Sequence, residues 1–163
     1  MNLEHYDIED LLLTAIKSEV ESKELYQKLA KSTENGLLQD KLDFLANEEE
    51  KHRNYIEEIF MNHFPGKEIS LPKETAVPLP KIKYNEDTPL SNVLGQAMQA
   101  EISASNFYKS LSNRFEKGSK IQNTLQYFAD MEVGHFKILE TEKESMERFE
   151  EGDVYWPMVH AGP

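Results

Sequence analysis

The stretch Asn47-Glu48-Glu49-Glu50-Lys51-His52 contains a Glu-x-x-His pair, Glu49 and His52, inside an apolar pattern of helical period. Apolar residues recur every three to four positions around the pair, the spacing that keeps side chains on one face of an α-helix. Burying an unpaired glutamate is costly, so Glu49 requires a proton, a counter-charge or a metal ion. Taken alone, the pair is equally compatible with a surface or capping role. This stripe consists of Leu38, Leu42, Leu45, Glu49, His52, Ile56 and Ile59.

The same arrangement recurs later in the chain. A second Glu-x-x-His pair, Glu132 and His135, lies in another apolar stripe, and the two glutamates are 83 residues apart (132 minus 49). Two further stripes each have one glutamate at their centre, Glu19 and Glu101, and these are 82 residues apart (101 minus 19). Near-equal offsets indicate two copies of one helix-turn-helix unit. Tyr26 and Tyr108 also match between the copies.

Composition limits the class of protein. The chain has 163 residues with 39% hydrophobic content, which suits one domain with a substantial core. Its formal net charge of -12 opposes binding to nucleic acid or to an anionic membrane. There is no apolar run of about 20 residues, and the acidic amino terminus is unlike a signal peptide, so we expect a cytoplasmic location. The absence of cysteine excludes disulfides, thiol catalysis and sulfur-ligated iron in this chain.

Helix signals predict an all-α fold of four helices, at about residues 7–32, 36–62, 89–116 and 119–150. Asp7 and Thr88 are candidate caps, and Ser119-x-x-Gln122 has the form of a capping box. Short connections make helices 1 and 2, and helices 3 and 4, antiparallel pairs. The proline-rich segment 65–89 forms a long crossover between helices 2 and 3. Residues 1–152 then form the bundle, and 153–163 form a tail that packs on a neighbour, covers an entrance or is a loosely ordered terminus.

The inward-facing residues suit a pair of divalent metals. Four glutamates supply four negative charges, which balance two iron(II) ions, and two neutral imidazoles complete the site. Oxygen and nitrogen ligands favour iron or manganese, alone or mixed, over thiol-seeking metals. One Glu from each of two helices with Glu-x-x-His from each of the others is the di-iron arrangement of ferritin-like four-helix bundles. The predicted ligands are Glu19, Glu49, His52, Glu101, Glu132 and His135.

Through these motifs, residues 7–149 resemble the ferritin-like di-iron carboxylate superfamily and, within it, rubrerythrin-like proteins. The resemblance implies an oxidoreductase that reduces hydrogen peroxide or reacts with oxygen, often as a homodimer. Two features depart from the family pattern. Ala104 stands where rubrerythrins usually add a glutamate, three residues after Glu101, and the chain lacks the cysteines of a rubredoxin domain. Electrons would therefore come from an external donor protein such as a rubredoxin.

The predicted site is compatible with other functions. The same site could serve a ferroxidase or a hydroxylase, or a protein that stores or senses metal. It could also stabilise a helical interaction module without turnover. Tyr26 and Tyr108 lie two turns after Glu19 and Glu101, where they could hydrogen-bond ligand carboxylates. They could equally be core aromatics whose hydroxyl groups contact water.

Overall fold

The computed structural model describes residues 1–85 and 87–152, and within them it contains four α-helices and no strand. The all-α prediction is therefore confirmed. The predicted tail, 153–163, lies outside the described residues. No helix in the described part of the chain is long and apolar enough to cross a membrane. The helices are α1 (Ile8–Ser32), α2 (Gly36–His63), α3 (Leu90–Ser112) and α4 (Lys120–Gly152).

Side-chain caps hold the starts of α2 and α4. Asn35 Oδ1 accepts hydrogen bonds from the backbone N–H groups of Leu37 and Leu38, at 3.1 and 3.2 Å. Ser119 Oγ accepts from the N–H of Gln122 at 3.1 Å, as the capping box predicts. The return bond differs from the standard box, because Gln122 Oε1 accepts from the N–H of Gly118 at 2.6 Å.

Two predicted caps are wrong. Asp7 occupies the cap position of α1, but its side chain makes no capping hydrogen bond. At α3 the cap position falls on Pro89, one residue later than expected. The Thr88 hydroxyl instead closes the preceding turn: it donates to Asn85 Oδ1 at 2.9 Å and accepts from the N–H of Asn85 at 3.0 Å. Local competition from this turn removes Thr88 from the helix start.

The end of α3 also differs from the expected position near residue 116. The helix stops at Ser112, and the N–H groups of Arg114 and Phe115 bond three residues back, to Leu111 and Ser112. These tighter turns place Phe115 against the buried core. The Arg114 guanidinium donates to the backbone carbonyls of Leu3 and Tyr6, so it ties the amino terminus to this corner.

Two hydrophobic clusters fill the bundle, one on each side of the buried glutamates along its axis. The first contains Leu11 and Ile16 of α1, and the second contains Leu29 of the same helix. The first cluster combines the start of α1 with the ends of α2 and α3 and the start of α4; the second combines the opposite ends. Therefore α1 is antiparallel to both α2 and α3, and the polar residues form a layer between two apolar ones.

The segment between α2 and α3 spans the bundle without regular secondary structure. Val77 is buried in the first cluster, whereas Ile82 and Tyr84 pack on the second, so the segment crosses from one end to the other. Gln96 of α3 fixes it near its far end. The amide of Gln96 accepts from the backbone N–H of Lys83 at 2.8 Å and donates to the carbonyl of Lys83 at 3.0 Å.

Candidate metal centre

All of the predicted ligands lie together in the polar layer at the middle of the bundle. Each is between 1 and 3% exposed, which is exceptional for glutamate. Their nitrogen and oxygen atoms form two groups in which the ligand atoms lie within 4.8 Å of one another. Glu49 and Glu132 belong to both groups. The first group is Glu19, Glu49, His52 and Glu132, and the second is Glu49, Glu101, Glu132 and His135.

Each imidazole faces its carboxylates through Nδ1. His52 Nδ1 lies 3.0 Å from Glu132 Oε1, 3.6 Å from Glu49 Oε2 and 3.8 Å from Glu19 Oε2. His135 Nδ1 lies 3.1 Å from Glu132 Oε2, 3.3 Å from Glu49 Oε1 and 3.7 Å from Glu101 Oε2. The two rings are 5.8 Å apart and inclined by 21°. Each group thus offers one nitrogen and three carboxylates.

The two tyrosines contact the glutamates of the opposite helix. The Tyr108 hydroxyl, on α3, donates to Glu19 Oε1 on α1, and the Tyr26 hydroxyl, on α1, donates to Glu101 Oε1 on α3. Both tyrosines are 1% exposed. Because α1 and α3 are antiparallel, a tyrosine two turns after a glutamate on one helix reaches the level of the glutamate on the other. Each unshared carboxylate is therefore oriented by a fixed donor.

The packing around the two histidines is not identical. The His52 ring lies against Phe128, with ring centroids 4.1 Å apart. The position that matches Phe128 in the first half of the chain is Leu45 (128 minus 83). The polar residues of the centre are thus the same in both halves, whereas the apolar residue at this pair of positions differs.

The ionisation of the cluster follows from its burial. Burial, together with the nearby charge of Glu49, raises the pKa of Glu19 and of Glu101 well above the ordinary value. Burial opposes the ionisation of Glu49 and Glu132 as well, but the pKa of both lies below the ordinary value, because Glu19 and the imidazoles lower it at Glu49 and the imidazoles lower it at Glu132. Burial would lower the pKa of His52, yet its glutamate partners raise that pKa to about 9, and the pKa of His135 is raised too.

These directions describe a neutral cluster without metal. The shifts favour protons on Glu19, Glu101 and the two imidazoles and the ionised form of Glu49 and Glu132, a combination in which the charges cancel. Two divalent cations could replace those four protons and leave the site neutral again. The cluster is thus electrostatically suited to exchanging protons for metal.

Buried side-chain atoms that make no hydrogen bond also indicate that the cluster fits metal ions. Glu49 Oε1, Glu132 Oε1 and His52 Nδ1 are buried and have no hydrogen-bond partner among the described residues. His52 Nδ1 and Glu132 Oε1 are close enough for an ion pair but do not meet the criteria for a hydrogen bond. Buried polar atoms that are left unpaired are costly unless a cation lies between them. The oxygen and nitrogen donors suit iron or manganese.

Comparison with known proteins agrees with this geometry. The family model described as rubrerythrin matches residues 10–91 and 92–156, which is most of the chain. This chain belongs to the rubrerythrin family. The resemblance inferred from the Glu-x-x-His pairs is confirmed, and so is the ferritin-like fold. The second matched segment begins 82 residues after the first (92 minus 10), the same offset that separates Glu19 from Glu101.

A solved structure of the same fold is similar to this rubrerythrin-family chain. It is a hypothetical protein from Pyrococcus furiosus with 32% sequence identity and a TM-score of 0.79. The match covers 91% of this chain and 98% of the other. No curated protein sequence matches the chain. These similarities establish the family and the fold.

Two properties of the centre could not be inferred from the sequence. The first is that the shared carboxylates are the glutamates of the Glu-x-x-His pairs, whereas Glu19 and Glu101 each belong to one group. The second is the crossed pairing of Tyr26 and Tyr108 with those unshared glutamates. Spacing along a helix shows which residues share a face, but distances between helices depend on packing. The sequence signal for this pairing was that each tyrosine lies two turns after the glutamate of its own helix.

Proposed function

We propose that the protein is a di-iron oxidoreductase of the rubrerythrin type that reduces hydrogen peroxide or reacts with oxygen. The observation that supports this proposal is the pair of overlapping ligand groups, each with one imidazole and three carboxylates. Two bound iron ions would supply the redox chemistry. Manganese, or one ion of each kind, is compatible with the same ligands.

The protein residues would have separate roles. Glu49 and Glu132, which belong to both groups, would hold the two ions together. Glu19 and Glu101 would each bind one ion, and the hydroxyl groups of Tyr108 and Tyr26 would fix their orientation. Aliphatic and aromatic residues on both sides of the layer exclude water. Exclusion of water strengthens the electrostatic interactions of the centre.

The electrons would come from a separate protein. Reducing one hydrogen peroxide to two water molecules consumes two electrons and two protons. The chain has no cysteine and therefore cannot hold the four-cysteine iron site of a rubredoxin. An external donor such as a rubredoxin would supply the electrons. We also propose a homodimer, the assembly common among rubrerythrins; mass in solution separates it from the large shell that a storage protein requires.

Ala104 provides a test of the peroxidase proposal. It lies on α3, one turn after Glu101, where rubrerythrins usually carry a glutamate. We expect peroxide to oxidise the reduced wild-type protein rapidly, but repeated cycling to be slow. Ala104→Glu would add a carboxylate beside the centre. It should accelerate re-reduction or cycling while changing metal content little.

Stopped-flow mixing of the reduced protein with peroxide and, separately, with oxygen measures these steps. Ala104→Gln is the matched control, because it adds a side chain of the same size without charge. If oxygen reacts and peroxide does not, the protein is better described as a ferroxidase or hydroxylase. If neither oxidant reacts faster than with free iron(II), the peroxidase proposal fails and the metals have a structural role.

A further inference from the structure

A cavity of about 400 Å³ lies between α1, the crossover segment and α3. Its volume falls within the range of small-molecule sites in proteins. The crossover segment forms one wall. Hydrogen bonds between the backbone of Lys83 and the side chain of Gln96 hold that wall against α3. We refer to this space as the crossover cavity. The lining residues used below are Ser22, Leu25 and Lys28 of α1 with Leu79, Ile82 and Tyr84 of the crossover.

The crossover cavity lies at the level of the metal centre along the bundle axis. Two of its lining residues, Ser18 and Ala100, immediately precede Glu19 and Glu101 in the chain. Ser22 lies one turn after Glu19. All three side chains are small, which leaves space on the flanks of α1 and α3. None of them belongs to the ligand groups described above.

Cations line this space in a chain whose formal net charge is -12. Lys17 pairs with Glu21 at 2.9 Å, and Lys81 pairs with Glu74 at 2.9 Å. Lys28 forms no ion pair within the described part of the chain; its ammonium group lies over the Tyr84 ring, 4.7 Å from the centroid. The ammonium of Lys28 is therefore available to an anionic ligand.

The rest of the lining is mixed. Two carboxylates, Glu21 and Glu24, also line the cavity: Glu21 pairs with Lys17, and Glu24 is exposed, as Lys28 is. Leu25, Leu79 and Ile82 are partly buried and provide apolar surface. One available cation beside an apolar wall fits a ligand with a single negative charge and a hydrocarbon body. A phosphate dianion would require more unpaired cations.

We propose that the crossover cavity binds an organic monocarboxylate of medium chain length. The ligand carboxylate contacts the Lys28 ammonium, and its hydrocarbon chain packs on Leu25 and Ile82. The proposal concerns binding alone and goes beyond the redox function, because none of the contacting residues belongs to the metal ligands. The cavity is next to α1 and α3, so a bound acid would lie beside the helices that carry Glu19 and Glu101.

Isothermal titration calorimetry of the full-length protein with octanoate tests the proposal. Octanoate should bind, and 1-octanol, which has the same chain length without the charge, should bind at least tenfold more weakly. Lys28→Gln should weaken octanoate binding about tenfold or more and leave 1-octanol binding unchanged. Lys31→Gln is the matched control, because Lys31 is an exposed lysine near the end of α1 and does not line the cavity.

A second variant tests the location. Ser22→Phe places a large side chain in the cavity and should abolish binding of both probes, with circular dichroism confirming that the helices are intact. Failure of octanoate to bind, or equal affinity of wild type and Lys28→Gln, overturns the proposal. Titrations of metal-free and metal-loaded protein separate this inference from the redox proposal, since octanoate binding should persist even if peroxide does not react.

Discussion

At the scale of single residues, Glu49 and Glu132 are the two glutamates that connect the two ligand groups. Each lies one turn before a histidine on its own helix, and each belongs to both ligand groups. Their pKa is lowered by neighbouring groups, the imidazoles among them, against the effect of burial, and this lowering favours the ionised form of both. Glu19 and Glu101 differ, because each belongs to one group and has a raised pKa that favours the protonated form.

This difference predicts unequal effects of substitution on metal content. Wild-type protein should contain two metal ions per chain. Glu19→Gln should retain about one, because the second group is intact, whereas Glu49→Gln should lose ions from both positions. Metal analysis by mass spectrometry after dialysis measures the content. Glu48→Gln is the control, since Glu48 neighbours Glu49 but pairs with Lys51 outside the centre. Two ions retained in Glu49→Gln would contradict the assignment.

The sequence predicted which residues meet but not how they meet. Period and repetition identified Glu49, His52, Glu132 and His135, because a charged residue on an apolar stripe is rare and the second copy makes coincidence improbable. Which carboxylates are shared, and which glutamate Tyr26 reaches, depends on how α1 and α3 lie against each other. No local pattern encodes that distance.

At the scale of elements, the four helices are amphipathic, and the buried Glu and His residues that interrupt their apolar faces lie together in one layer. Their bounds follow the sequence signals where side chains and backbone agree, as with Ser119 and Gln122 at the start of α4. They depart where a local turn competes: Thr88 bonds to Asn85, and residues after Ser112 form tight turns that place Phe115 on the core. Helix ends depend on such contacts, which is why α3 ends before the expected position near residue 116.

The caps give a prediction with an internal control. Asn35→Ala removes an oxygen that accepts two backbone N–H bonds, so it should cost about 1 kcal/mol of stability. For a domain of this size that corresponds to a melting temperature lower by about 2–4 °C. Asp7→Ala at the start of α1 should cost much less, because Asp7 makes no capping bond. Thermal unfolding followed by circular dichroism compares them; equal losses would show that the caps are not the cause.

At the scale of the whole molecule, two apolar clusters enclose a polar layer, and the halves of the chain contribute equally to it. The fold therefore depends on how that layer is neutralised, since isolated charges in a core are strongly unfavourable. Without metal, protons on Glu19, Glu101 and the two histidines can perform this role, because burial and neighbouring carboxylates raise the pKa of the two glutamates and neighbouring carboxylates raise the pKa of the two histidines. The two neutral states, protonated and metal-bound, should respond to pH in opposite ways.

The metal-free protein should lose stability as pH rises from 6 to 9. A group whose pKa is raised by folding stabilises the folded state below its unfolded pKa and loses that contribution as pH rises through the folded value. For His52 this interval runs from 6.5 to about 9, and the raised pKa of Glu19 and Glu101 acts in the same direction above 4.5. Glu49 and Glu132 add no slope there, because their lowered pKa keeps them ionised in both states.

For each proton that the folded state binds beyond the unfolded state, the melting temperature should fall by about 3–5 °C with each unit of rising pH across this interval. The metal-loaded protein should not show this fall, because its ligands are already deprotonated and metal binding strengthens as protons become scarcer. Calorimetry of both forms at pH 6 and pH 9 measures the difference. In the metal-free Glu19→Gln/Glu101→Gln variant the slope should be smaller, since two titrating carboxyl groups are gone. A metal-free protein equally stable at both pH values would show that protons do not neutralise the layer.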